Sequence, residues 1–244
     1  MKNSSSRIAL ITGANKGIGF EIARRLSEAG VRVWLGARDL AAGEAAASIL
    51  RKDGADVRAI QLNLADQTSI DTAAAEIEKQ DGRLDVLVNN AGISDPQDGR
   101  PGQAKMEAVR RIFETNFFGT LAVTQAMLPL LRKSSAARVI NQSSDLGSLT
   151  RQGDADWKFA FVKSLGYSSS KAALNMLTVH LAAELKDLGI AVNSANPGPT
   201  ATDLNGHRGH QTVAQGAAPA VRLALIDDAS VTGSFFGSSQ VEPW

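Results

Sequence analysis

A chain of 244 residues, 43% hydrophobic and 21% charged, has material for one large α/β core; its net charge of +1 suggests no nucleic-acid or anionic-membrane partner. It contains no cysteine, which excludes disulfides, cysteine-held metal and a thiol nucleophile. The first residues are polar, and the first apolar run, Ile8 to Ile11, is too short for a leader core or a membrane span, so a soluble, cytoplasmic protein is expected.

Short apolar runs alternate with segments of helical period. Ile8 to Ile11 reads as a strand covered on both faces, ending at Thr12-Gly13. Ile18, Ile22 and Leu26 then recur every fourth residue, predicting a helix that stops near Gly30. Val31 to Ala37 reads as strand two, Leu40 to Lys52 as a helix, Val57 to Leu62 as strand three, and Asp66 to Gln80 as a helix. Leu84 to Val88 is strand four, followed by a Gly/Pro-rich loop from Gly92 to Gly102. One long helix is expected from about Gln103 to Arg132, with Gly119 and Pro129 as weak points. Strand five begins at Arg138 to Asn141; Leu174, Leu177, Leu181, Leu185 and Leu188 mark a later helix, and Ile190 to Ser194 is strand six. No linker or repeat divides the chain, so residues 1–244 are expected to form one domain with a doubly wound parallel sheet and helices on both faces.

In such sheets ligands bind beyond the carboxyl ends of the strands. The first turn there is Thr12-Gly13-Ala14-Asn15-Lys16-Gly17-Ile18-Gly19. Its glycines allow close backbone approach, and the following helix start offers unpaired N–H groups to a pyrophosphate. Strand two ends in Gly36-Ala37-Arg38, and Lys16 lies in the glycine loop. A basic residue at this corner accommodates a 2′-phosphate, whereas an acidic one holds a 2′-hydroxyl, so NADPH is expected over NADH. Asp39, one residue on, is the competing ribose ligand if the register shifts. Asn89-Asn90-Ala91-Gly92 supplies small residues where the chain could pass near a cofactor.

Tyr167 and Lys171 are four apart and so share one helix face; Tyr167 is the only tyrosine in the chain. Bringing a phenol from a pKa near ~10 to 7 takes roughly 4 kcal/mol. One ammonium at ~4 Å supplies about that much at an effective dielectric of ~20. Tyr167 is therefore expected to transfer a proton, with Lys171 lowering its pKa.

Together these features resemble the short-chain dehydrogenase/reductase family, in its compact single-domain branch and nearest to NADPH-dependent carbonyl reductases. The match runs over Thr12 to Gly19, Asn89 to Gly92, the Tyr-x-x-x-Lys pair, and Asn193 to Gly198 with Thr200 and Thr202. The resemblance implies a Rossmann fold of about seven strands. It also implies a hydride moved between NADPH/NADP+ and a small ketone, aldehyde or alcohol. Ser144 would hold the substrate oxygen, Tyr167 would pass the proton, and Lys171 would also bind the nicotinamide ribose. Asn116 would steady a water linking Lys171 to solvent. Ser143 is the neighbour most easily confused with Ser144.

Cofactor contacts implied are Gly13, Asn15, Lys16, Gly17, Ile18, Gly19, Arg38, Asn63, Leu64, Asn90, Ala91, Gly92, Tyr167, Lys171, Pro197, Gly198, Thr200 and Thr202. Asn63 stands where relatives carry Asp, with its amide oxygen still able to accept a bond. The stretch at about 145–166 reads as an insertion whose Trp157, Phe159 and Phe161 form either a lid or an inward-packed loop. A substrate loop is expected at about 199–212, with His207 and His210 solvated. No residue cluster has metal-ligand spacing. Other readings are a 3-oxoacyl carrier reductase, a sugar-nucleotide epimerase, and a non-catalytic NADP(H) sensor on the same fold. Oligomeric state stays open.

Overall fold

The computed structural model describes residues 6–244, so the first five residues of the polar opening stretch lie outside it. A seven-stranded sheet, parallel throughout, runs in the order β3-β2-β1-β4-β5-β6-β7. The strands are β1 (Ile8–Ile11), β2 (Arg32–Ala37), β3 (Val57–Gln61), β4 (Val86–Asn89), β5 (Arg138–Gln142), β6 (Ala191–Ala195) and β7 (Phe235–Phe236). The helices are α1 (Gly17–Glu28), α2 (Leu40–Lys52), α3 (Gln67–Asp81), α4 (Met106–Phe113), α5 (Thr120–Leu131), α6 (Leu149–Gly153), α7 (Leu165–Leu185) and α8 (Val213–Leu225). Side-chain alternation along β1 shows why the sheet must be covered twice. Ile8 and Leu10 enter a core with α3, α5 and α7, while Ala9 and Ile11 enter a second core with α1, α2 and α8.

The expected helix over 103–132 is more complex. It starts at Met106 and passes through a π-helical turn, Glu114–Gly119, between α4 and α5. Gly119 is a packing residue and no break: a Cβ there would sit 2.5 Å from the Leu64 carbonyl oxygen. Pro129 lies inside α5. Leu188 leaves the expected apolar stripe because α7 ends at Leu185, and it is 52% exposed. Sequence periodicity did not place α8 or the two-residue β7. Among the described residues, no helix is long and apolar enough to cross a membrane, and no group of three His, Asp or Glu is placed to hold a metal.

Candidate active site

The turns after β1, β4, β5 and β6 meet at the carboxyl edge of the sheet. In the first, Gly13 and Gly17 adopt φ of +62° and +58°, which favours glycine. Gly19 is required by space: a Cβ would lie 2.5 Å from both Asn90 Nδ2 and the Gly13 carbonyl oxygen. Thr12 and Asn90 lock this loop to the end of β4. Thr12 Oγ1 accepts from the N–H groups of Asn90 and Ala91, and Asn90 Nδ2 donates to the carbonyls of Thr12 and Gly13. The side chain of Asn90 thus supports the loop. Asn15 and Ile18 are half-buried, and Ile18 packs on the core. The N-cap residue of α1, Lys16, makes no side-chain capping bond, leaving the positive helix end for an anion. Close backbone approach, spare N–H groups and the missing side chains together fit a dinucleotide pyrophosphate.

At the ribose corner, Arg38 is exposed and has no ion pair among the described residues. Asp39, the competing ligand, caps α2 by accepting from the N–H groups of Ala41 and Ala42. Lys16 pairs with Asp203 at 2.6 Å across the cleft. Asn63 Oδ1 accepts from the Ala65 N–H, closing its own turn, and Leu64 is buried in the core.

The turn after β5 carries Ser143 and Ser144. Ser143 Oγ donates to Asn175 of α7 and is buried, whereas Ser144 lies within hydrogen-bonding reach of Tyr167 and accepts from Leu146 N. The two side chains diverge, and the second joins the tyrosine. Lys171 is 4% exposed; its Nζ donates to the Gln142 carbonyl at 2.7 Å and lies 5.7 Å from the Tyr167 ring centroid. Gly92 sits between Asn116 and Lys171, with its Cβ position 3.4 Å from Asn116 Oδ1 and from Lys171 Nζ. The π turn delivers Asn116 there, but its amide is engaged. Oδ1 accepts from Ile93 N, while Nδ2 donates to the Ile93 carbonyl and to Ser170 Oγ.

The expected lowering of the tyrosine pKa is corrected. Tyr167 as a residue is half-buried, yet desolvation pushes its phenol up to about 12, with the Ser144 bond lowering it and the Asp145 charge raising it further. Burial likewise pushes Lys171 down to about 8. One charge at ~4 Å does not outweigh desolvation here, which penalises phenolate and ammonium alike.

After β6, Gly198 has φ +65°, and a Cβ there would strike Gln211, placing Pro197-Gly198 in a tight turn. Thr200 is buried and donates to the Pro197 carbonyl, so its hydroxyl serves this turn. Thr202 Cγ2 lies 3.9 Å from the Cβ position of Gly17, facing the glycine loop. His207 and His210 are exposed, the former bonded to Asp203. The aromatic trio of the 145–166 stretch splits: Trp157 is buried and edge-packed on Phe159, but Phe161 is 74% exposed.

Sequence reasoning missed three groups. Asp98 accepts from the N–H groups of Gly166 and Tyr167, capping from a distant loop the helix that carries the tyrosine. Asp145 follows Ser144 and is close enough to disfavour the Tyr167 phenolate. Glu242 in the tail pairs with Arg151 of α6. The Asp95-Pro96-Gln97-Asp98-Gly99 run signals a turn, but nothing local reveals its remote partner.

Residues 7–212 match the short chain dehydrogenase family. A short-chain dehydrogenase/reductase 1 from Saponaria officinalis is 34% identical over 297 aligned positions, covering 99% of this chain and 97% of that protein. Carbonyl reductase (NADPH) 3 of Homo sapiens is 33% identical over 281 positions, covering 99% of this chain and all of that protein. Both alignments exceed 244 positions, so these relatives carry segments absent here. The structure of NADPH-bound carbonyl reductase from chicken fatty liver superposes with a TM-score of 0.85 at 26% identity, covering 98% of this chain and 99% of that one. With the family match spanning most of the chain and the glycine loop, Ser144, Tyr167 and Lys171 gathered at one edge of the sheet, this protein belongs to the short-chain dehydrogenase/reductase family.

Proposed function

We propose that this chain is an NADPH-dependent carbonyl reductase in which Ser144 binds the substrate oxygen and Tyr167 protonates it. The observation that carries the roles is the meeting of Ser144, Tyr167 and buried Lys171 beside Gly92 and the glycine loop. Gly13, Gly17, Gly19 and the start of α1 would hold the pyrophosphate. Arg38, free of an ion pair among the described residues, would take the 2′-phosphate, and Asp39 is unsuited to the ribose because it caps α2. Lys16 would join Arg38 only by leaving Asp203. Bound there, the nicotinamide ring supplies the hydride.

The chain's own residues handle the oxygen. A phenol held near 12 stays protonated at neutral pH, the state a proton donor needs in the reductive direction. Ser144 steadies the carbonyl oxygen with its hydroxyl. Lys171, tied to the Gln142 carbonyl, keeps a positive charge at the tyrosine as the phenol gives up its proton. Asn116 fixes the main chain at Ile93, and with it the wall formed by Gly92.

Tyr167→Phe is expected to keep NADPH affinity within about twofold and to lower turnover by 10²- to 10⁴-fold, the usual worth of general acid catalysis. Fluorescence titration of NADPH and absorbance assays on a panel of ketones and aldehydes measure the two. Unchanged turnover would remove Tyr167 from the mechanism.

A further inference from the structure

Next to the serine stands a carboxyl group that carbonyl reduction does not use. Asp145 Oδ1 lies 3.4 Å from Ser144 Oγ, and its charge is felt at Tyr167, so the group belongs to the reacting end of the cleft. Asp145 is also part of the wall of a cleft of about 260 Å³. Arg151, Lys158, Asn196, Gln211 and Glu242 form much of the remaining polar wall. Asp145 therefore stands between Ser144 and this cleft.

The charges of the wall select against ions. Two carboxyl groups, Asp145 and Glu242, face two cations, Arg151 and Lys158. Arg151 is already paired with Glu242, and Lys158 lies against the Phe159 ring, 4.9 Å from its centroid. An anionic substrate would meet the carboxyls, a cationic one the guanidinium and ammonium. A wholly apolar ketone would press methylene groups against a desolvated carboxyl, which costs about 1–3 kcal/mol. A hydroxyl group is neutral, donates to a carboxylate and accepts from an amide, so it suits this wall.

Resting on the reductase reading above, we propose that Asp145 is a specificity-determining residue, selecting neutral hydroxyketones whose hydroxyl lies beside the reacting carbonyl. The carbonyl oxygen then sits with Ser144 and Tyr167, and the adjacent hydroxyl donates to Asp145. Further hydroxyls along the chain find partners in Asn196 and Gln211.

The test compares 2-hydroxycyclohexanone with 2-methylcyclohexanone, which has nearly the same shape, using NADPH and the full chain. The quantity read is the ratio of the two kcat/KM values, in which losses from partial misfolding cancel. The ratio is expected to fall at least tenfold from wild type to Asp145→Ala, and by less in Asp145→Asn, which keeps an acceptor oxygen. A ratio that is the same in wild type and Asp145→Ala overturns the proposal, as does a wild-type preference for a keto acid or an amino ketone of equal size. A wild-type protein that binds NADPH but reduces no ketone or aldehyde sinks the reductase reading itself; intact reduction with an unmoved ratio sinks only the role of Asp145.

Discussion

On the side of β1 to β4, the cleft is shaped by main chain: Gly13, Gly17 and Gly19 leave room, and Thr12 and Asn90 hold the loop through backbone groups. On the side of β5 to β7, it is shaped by charged side chains from distant parts of the sequence. There Arg151 of α6 meets Glu242 of the tail, and the Thr150 N–H donates to the carbonyl of Trp244. The first side fits what any dinucleotide shares, a pyrophosphate that needs close backbone approach. The second, on the proposal above, would distinguish one substrate from another. A main-chain wall tolerates almost no added atom, whereas a side-chain wall can change by substitution without disturbing the sheet.

Adding a single carbon on each side is the sharpest way to break that contrast. At Gly19 a methyl group would be 2.5 Å from a backbone carbonyl oxygen and 2.9 Å from Ala14 Cα, so neither neighbour can yield cheaply. Gly19→Ala is expected to weaken NADPH binding at least a hundredfold and to destabilise the fold by about 2–3 kcal/mol, the range for forced overpacking. At Gly153, which ends α6 on the substrate side, nothing lies within 4 Å of the Cβ position. Gly153→Ala should leave both quantities unchanged within error. Cofactor titration and thermal melts of the pair decide the matter, and equal effects would erase the distinction between the two walls.

The same contrast explains what could be read from the sequence. Glycine loops, apolar runs and the Tyr167–Lys171 spacing are local patterns; they located β1 to β6, and the residues they single out lie together at the carboxyl edge of the sheet. The π turn at Glu114–Gly119 was invisible because no local pattern marks it; the contact seen there is tertiary, with Leu64 packed where a Cβ of Gly119 would stand. The resemblance implied Thr200 at the cofactor, and order along the chain cannot show that its hydroxyl turns to the Pro197 carbonyl. The phenol's direction of shift was misjudged because spacing reports neighbours but not the loss of water around them. Asp98 lies 69 residues before Tyr167, and no periodicity links a loop to a helix start at that separation.

Asp98 gives a second, smaller test, because it fastens the catalytic helix from the cofactor side. The N-cap residue of α7, Ser164, makes no side-chain capping bond, so the first-turn N–H groups of Gly166 and Tyr167 depend on Asp98. Asp98→Ala should cost about 1–2 kcal/mol, as for loss of a helix cap. Displacing Tyr167 should also lower kcat about tenfold with NADPH affinity held within twofold. Affinity falling in step with kcat would mean that Asp98 supports the whole cleft and has no particular link to the tyrosine.

The smallest expected effect is a change of sign in stability at Lys171, where the two walls meet. Its folded pKa of about 8 lies below the ordinary lysine value of 10.5. Between those limits the unfolded chain holds a proton that the folded chain has released, so the contribution of this group to stability rises with pH across that window. Below pH 8 the buried ammonium burdens the fold in full. Lys171→Met removes that burden but also the bond to the Gln142 carbonyl, worth about 1 kcal/mol. The variant should therefore be more stable than wild type at pH 7, by on the order of 1–2 kcal/mol, while losing turnover. The gain should vanish or reverse by pH 10.5. Tyr167 titrates in the opposite sense between 10 and about 12, stability falling with pH there, but it is present in both proteins and drops out of their difference to first order. Urea unfolding of the two proteins at pH 7 and at pH 10 reads the difference directly. A variant whose stability differs from wild type by the same amount at both would show that Lys171 keeps its ordinary lysine pKa in the folded chain, so that burial places no burden on its ammonium.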